Sequence, residues 1–307
     1  MSGNNGKSKL MLKIIMGVAA VGFVLCVAYI VHYYHGLNQQ TDYYEQLADS
    51  TTIQIGGEEV PVSDGATEQA TQEEKAESVS VDTEVVATQD STSTVETQVV
   101  ETAVETVPEV EESYVSPVDF AQLAEENPDI YAWIRMDNTV IDYPVLQHPT
   151  DDTYYLMHNP DHSYGYPGCI YSELYNTNTF EDPVTVLYGH NMKNGTMFGG
   201  LHQFENKDFF DRNTSFEIYM PDKTLVYEIV AALETDDKRI TVWYNFEDEK
   251  AYQNYIDELM SGEESELYHI REGVELTTKD KLVVLQTCVS ERKSNRYVVI
   301  GALREVY

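Results

Sequence analysis

The sequence predicts a mostly β fold of about eight strands with a few flanking helices, closed as a barrel or stacked as a sandwich. A transmembrane helix and an acidic, disordered linker are expected to precede it. Three observations carry this reading. Short apolar, β-branched runs separated by Gly, Pro, Asn and Asp recur from residue 131 to the end of the 307-residue chain. Residues 14–31 carry no charge at all. Between these regions, residues 41–113 hold nineteen acids against the single Lys75, with no aromatic between Tyr44 and Tyr114.

The apolar stretch comes first. Its 18 residues are about the minimum that spans a hydrocarbon core of ~30 Å. Tyr33 and Tyr34 at its far edge suit the membrane–water interface. Lys7, Lys9 and Lys13 precede it and acids follow, so the positive-inside rule puts the N-terminus in the cytoplasm and the rest outside the cell membrane. A signal peptide would end at a small-residue cleavage site. Here His32, Tyr33, Tyr34 and His35 follow instead, which favours an uncleaved single-pass anchor. The expected division is 1–9 cytoplasmic, 10–34 membrane, 35–115 extracellular linker and 116–307 folded domain. The helix is allowed a short continuation towards Leu47.

The linker repels itself and cannot bury enough apolar surface to fold. A net charge of −34 also argues against nucleic acid, whose phosphates need clustered Lys and Arg. In the folded part, Ser116-Pro117 reads as an N-cap with Pro at the first helical position. Phe120, Leu123 and Ala124 share a face of that helix, and Asn127-Pro128 ends it. Strands are expected over 131–136, 140–146, 169–171, 184–188, 215–220, 225–233, 281–287 and 296–305. Two more helices are expected over 197–210 and 247–260, the second with Tyr252, Tyr255, Ile256 and Leu259 at helical spacing.

Two strands end at reactive side chains. Cys288 closes an apolar run and is followed by a polar loop; His190 follows Gly189 at the end of another run. A thiol is nucleophilic as thiolate and needs a basic or cationic neighbour. Arg296, eight residues on, would point back towards Cys288 across a hairpin and offer donors to an oxyanion. Each residue alone has a plainer reading, as core thiol, turn histidine or surface charge. The three cysteines form no disulfide framework: Cys26 lies in the span, Cys169 reads as a core thiol, and Cys288 is left unpaired. No metal or other cofactor is expected, since Pro160 breaks the helix that would let His158 and His162 share an ion.

Further pieces stand in a fixed order along the folded part. They are Trp133-Ile134, Ile141-Asp142-Tyr143-Pro144-Val145-Leu146-Gln147, Tyr155-Leu156 and Gly168-x-Ile170. Then come the run from Leu187 through Gly189-His190-Asn191-Met192 to Phe198, Leu285-x-Thr287-Cys288, and Arg296-Tyr297-Val298-Val299. In this order they resemble the sortases, cell-surface cysteine transpeptidases of Gram-positive bacteria, and class B in particular. The resemblance implies an eight-stranded sortase β-barrel. It implies Cys288 as the nucleophile that cleaves a C-terminal sorting signal of secreted proteins after Thr. It implies His190 as the proton donor to the leaving amine and Arg296 as the oxyanion and substrate holder. The acyl acceptor would be an amine of a peptidoglycan precursor or a pilin lysine. Tyr188 and Thr287 are similar to groove positions. Leu156 belongs to a matching motif, and Asp152, four residues before it, stands where relatives often carry a substrate-contacting Asn. Gln286 departs from the family's usual Ser and is larger, which bears on the shape of the groove. Two alternatives remain in view: a non-catalytic surface module that binds sorting signals, and a hydrolytic cysteine endopeptidase.

Overall fold

The computed structural model describes residues 4–53, 114–262 and 267–307, so the expected disorder of the linker falls, for residues 54–113, outside the described residues. The chain starts with α1 (Asn4–Thr51), a single helix of 48 residues. Among the described residues it is the one helix long and apolar enough to cross a membrane. Its apolar side chains there, such as Phe23 and Leu25, are exposed.

The helix does not stop near residue 34. It runs on to Thr51 because its last turns gain a packing surface: Tyr44 and Leu47 are buried against the folded domain. The Tyr44 ring meets Tyr143 edge-on at 5.4 Å, and its hydroxyl donates to the Gly168 carbonyl at 2.6 Å. The short continuation allowed towards Leu47 thus reaches Thr51, inside the stretch assigned to the linker. Thr52 then forms a β-bridge with Val118, and the Ile53 N–H donates to the Pro117 carbonyl at 2.7 Å. That bridge holds 117–118 extended, so Ser116-Pro117 does not open the next helix. Instead α2 (Phe120–Glu126) is capped by Asp119, whose carboxylate accepts the Gln122 N–H at 3.0 Å.

Nine strands follow among the described residues: β1 (Ile130–Arg135), β2 (Asp142–Leu146), β3 (Ile170–Ser172), β4 (Val184–Tyr188), β5 (Ser215–Tyr219), β6 (Thr224–Asp236), β7 (Tyr268–Ile270), β8 (Leu282–Cys288) and β9 (Asn295–Val306). Eight of them close a barrel in the order β5-β1-β2-β3-β4-β8-β9-β6, with β6 pairing back to β5. The eight expected strands are these eight. The short β7, which the sequence pattern does not predict, adds to the second half of β6. Most pairs are antiparallel, but β2–β3 and β4–β8 are parallel.

The parallel β4–β8 pair explains the long apolar run before Cys288. Strand β8 is buried on both faces. Val283 and Leu285 point into the barrel with Val299, Leu187 and Phe198. Leu282 and Val284 point outward, under α5 (Glu249–Met260), whose Tyr252, Tyr255, Ile256 and Leu259 form its buried stripe. A short helix, α4 (Ile240–Trp243), lies just before α5. The helix expected over 197–210 is two pieces, a 3-10 segment (Phe198–Glu205) and α3 (Lys207–Arg212). The break comes at Asn206, whose side chain accepts the Phe209 N–H at 3.0 Å and caps α3.

Candidate active site

Strand register brings the reactive groups to one end of the barrel. In the β8–β9 hairpin Cys288 pairs directly with Arg296, and β6 continues the row with Thr235 opposite Arg296. Across the parallel pair, Tyr188 stands opposite Gln286. Two residues further along each strand lie His190 and Cys288. Hydrogen bonds on either side of His190 keep the chains together beyond the ladder. The Gly189 N–H donates to the Gln286 carbonyl at 3.1 Å and the Thr287 hydroxyl to the Gly189 carbonyl at 2.8 Å. The Asn191 amide donates to the Cys288 carbonyl at 2.8 Å.

Gly189 has no room for a side chain. A Cβ there would lie 2.5 Å from Ile170 Cδ1 and 2.7 Å from Phe198 Cγ. The backbone before His190 is thus pressed onto the core, and the imidazole is aimed by it. Its Nε2 lies 2.8 Å from the Leu156 carbonyl oxygen. A carbonyl only accepts, so Nε2 carries a hydrogen and Nδ1 is the nitrogen left for proton transfer. Tyr166 covers the ring, centroids 4.9 Å apart. Burial pushes the imidazole below its ordinary range, opposed by the bond to Leu156.

Cys288 is exposed, whereas Cys169 is buried and its thiol is pushed well up by desolvation; both are free. Arg296 is half-buried, and its Nη1 donates to the carbonyls of Lys293 at 3.0 Å and Asn295 at 2.9 Å. Its Nε and Nη2 hydrogens have no partner among the described residues. The hairpin loop is clamped from β6: Glu234 pairs with Arg292 through both carboxylate oxygens and accepts the Asn295 amide at 2.6 Å. The Arg292 guanidinium holds the Glu234 carboxyl below the usual range.

Side chains alternate along a strand, so Val284, Gln286 and Cys288 share the outer face of β8. Below the Cys288–Arg296 row, that face floors a cavity of about 340 Å³ roofed by Trp243, Tyr244, Tyr255 and Leu259. Gln286 lines it and is 8 % exposed. Thr287 points to the other side and is buried.

The remaining sequence-predicted residues fall into two groups. Tyr188 is stacked on Tyr171 at 5.5 Å, and its hydroxyl donates to Glu173 at 3.3 Å, while burial pushes the phenol up. Glu173 also pairs with Arg239, which lies 3.7 Å from Asp152. Asp152 accepts the Leu174 N–H at 2.7 Å with its other oxygen. Its carboxylate is therefore engaged by the protein itself. Leu156 meets His190 through its carbonyl oxygen rather than its side chain.

The family model described as the sortase domain matches residues 134–304. The chain belongs to the sortase family. Within it the chain is of class B. Sortase B of Listeria monocytogenes is 31 % identical over 187 residues, 60 % of this chain and 74 % of that one. The X-ray structure of a mutant form of Clostridium perfringens sortase B aligns with a TM-score of 0.55 at 30 % identity, covering 61 % of this chain and 87 % of the other. A Staphylococcus aureus sortase B–substrate complex aligns with a TM-score of 0.53 at 27 % identity, covering 62 % and 87 %. These matches make the barrel a sortase barrel.

Asn191, named only as part of a matching run, and His202, Glu205 and Glu234 have no site role in the sequence reading, yet all of them bond to the segment around Cys288 or to one another. A weak signal existed for three of them, since Asn191 follows His190 directly and His202 and Glu205 have i, i+3 spacing.

Proposed function

We propose that this sortase is a membrane-anchored cysteine transpeptidase that cleaves a C-terminal sorting signal of secreted proteins after Thr and transfers the acyl group to an amine. The observation that carries the reading is the pairing of exposed Cys288 with Arg296, with a half-buried imidazole two residues past the end of the neighbouring parallel strand. The Cys288 thiolate attacks the Thr carbonyl carbon and forms a tetrahedral oxyanion. The free Nε and Nη2 hydrogens of Arg296 donate to that oxygen or to the substrate backbone. Collapse breaks the peptide C–N bond, and His190 gives its proton to the departing amine. An acceptor amine then attacks the thioester, loses a proton to His190 and releases Cys288. The acceptor is an amine of a peptidoglycan precursor or a pilin lysine.

The cavity, which begins at Gln286, two residues before Cys288 on the same face of β8, suits the signal residues before the scissile bond. Gln286, with its amide lining that space, is proposed as substrate-contacting together with Tyr188, Leu156 and Asp152. Thr287, buried on the other face with its hydroxyl on the Gly189 carbonyl, is instead proposed to hold the backbone before His190. Lys7, Lys9 and Lys13, in the first turns of the helix and ahead of its uncharged span, favour a cytoplasmic N-terminus and an extracellular barrel.

The test uses the full chain in detergent with quenched fluorescent peptides that fix Thr before the scissile bond, with and without hydroxylamine. Cleavage after Thr with hydroxamate formation is expected. Acid product alone, hydroxylamine present, would favour an endopeptidase. Peptide binding without cleavage, unchanged in Cys288→Ala, would favour a binding module.

A further inference from the structure

Behind Cys288, on the side of the sheet away from the cavity, lies a polar cluster that the proposed chemistry does not use. The Asn191 amide nitrogen is 2.8 Å from the Cys288 carbonyl oxygen, 3.1 Å from Ser290 Oγ and 2.9 Å from His202 Nε2. His202 Nε2 is in turn 3.1 Å from the same Cys288 oxygen. The other ring nitrogen, Nδ1, is 2.6 Å from Glu205 Oε1. The His202 ring is stacked on buried Tyr297 at 5.1 Å, and Tyr297 follows Arg296.

We propose that Asn191 and His202, oriented by Glu205, are positioning residues that fix the nucleophile's backbone against the segment carrying His190. A carbonyl oxygen has two lone pairs, and both can be taken here. Glu205 accepts the Nδ1 hydrogen and sets the ring's direction. Nε2 then accepts the Asn191 N–H when it is unprotonated, or donates to Cys288 when it carries a hydrogen. Cys288 keeps at least the Asn191 bond in either case. Because Asn191 is the residue after His190, a single side chain ties the proposed nucleophile to the proposed acid. The cluster faces away from the cavity floored by Val284 and Gln286, so its loss should misplace the reacting atoms without changing peptide binding.

This rests on the reading of Cys288 as nucleophile, and the controls separate the two. Steady-state turnover of the Thr-fixed peptides with hydroxylamine is measured for the full chain and for Asn191→Ala, His202→Phe, His202→Gln and Glu205→Gln. His202→Phe keeps the stack on Tyr297 and removes both nitrogens. Asn191→Ala and His202→Phe should each lower kcat on the order of 100-fold, the cost of ~1 Å misplacement, with KM within about twofold. His202→Gln, which retains an N–H for the carbonyl, should recover most of kcat. The double variant should lose less than the product of the single losses. A folded His202→Phe with unchanged kcat, a loss confined to KM, or His202→Gln no better than His202→Phe would each overturn the proposal. Should His202→Phe not fold, Glu205→Gln decides, with kcat expected to fall about tenfold by loss of ring orientation and an unchanged kcat counting against it. Activity surviving Cys288→Ala would instead defeat the underlying reading.

Discussion

Gly189 and His190 show how single residues would set the proposed chemistry. With Ile170 and Phe198 pressed against the Gly189 Cα, a methyl group there must push the strand end outward. Gly189→Ala should destabilise the fold by about 1–3 kcal/mol, as overpacking does. It should also cut kcat on the order of 100-fold by moving the imidazole. Urea titration and steady-state kinetics check the pair, and an Ala variant of normal activity would contradict the account. The pH dependence follows from burial. A desolvated imidazole resists protonation, so its pKa is lowered and the inactive, fully protonated pair accumulates only at lower pH. The acid limb of kcat/KM should therefore lie below the ordinary imidazole value of about 6.5. Tyr166→Ala uncovers the ring and should move that limb upward; a limb unmoved by it would count against desolvation as the cause. The proposed trio stands out in the sequence because each member lies where an apolar run ends or begins. The Leu156 carbonyl and His202 could not, since they meet His190 and Cys288 across 34 and 86 residues and only barrel closure brings them near.

At the scale of elements, local pattern and tertiary contact divide the outcome. The eight barrel strands are legible because their apolar runs are bounded by turn residues, and α5 because four buried side chains repeat at helical spacing. The three-residue β7 is too short for a period to register. The start of α2 departs from the Ser-Pro signal because the Thr52–Val118 bridge, a contact across 66 residues, overrides it. The same bridge and Tyr44 make the end of α1 part of the folded unit. A fragment spanning 114–307 should therefore unfold at lower urea than one spanning 37–307. Burying Tyr44 and Leu47 contributes about 1.5–3 kcal/mol each. Equal midpoints would mean that the helix end only rests on the barrel.

For the whole molecule, the charge pattern and the proposed anchor bear on where the proposed chemistry would take place. Three lysines before the uncharged span 14–31 and an acidic stretch after it predict the barrel outside the cell. Protease added to intact cells should remove the barrel and leave an N-terminal tag protected; a protected barrel would reverse the orientation. The central claim is covalent: Cys288 carries the acyl group of a cleaved peptide. Its most direct test is intact-protein mass spectrometry after mixing the full chain with Thr-fixed peptides in the absence of an amine. An added mass equal to the acyl fragment is expected, mapped to Cys288, released by hydroxylamine and missing from Cys288→Ala. Cleaved peptide with no adduct on Cys288, or an adduct that persists in Cys288→Ala, would contradict it.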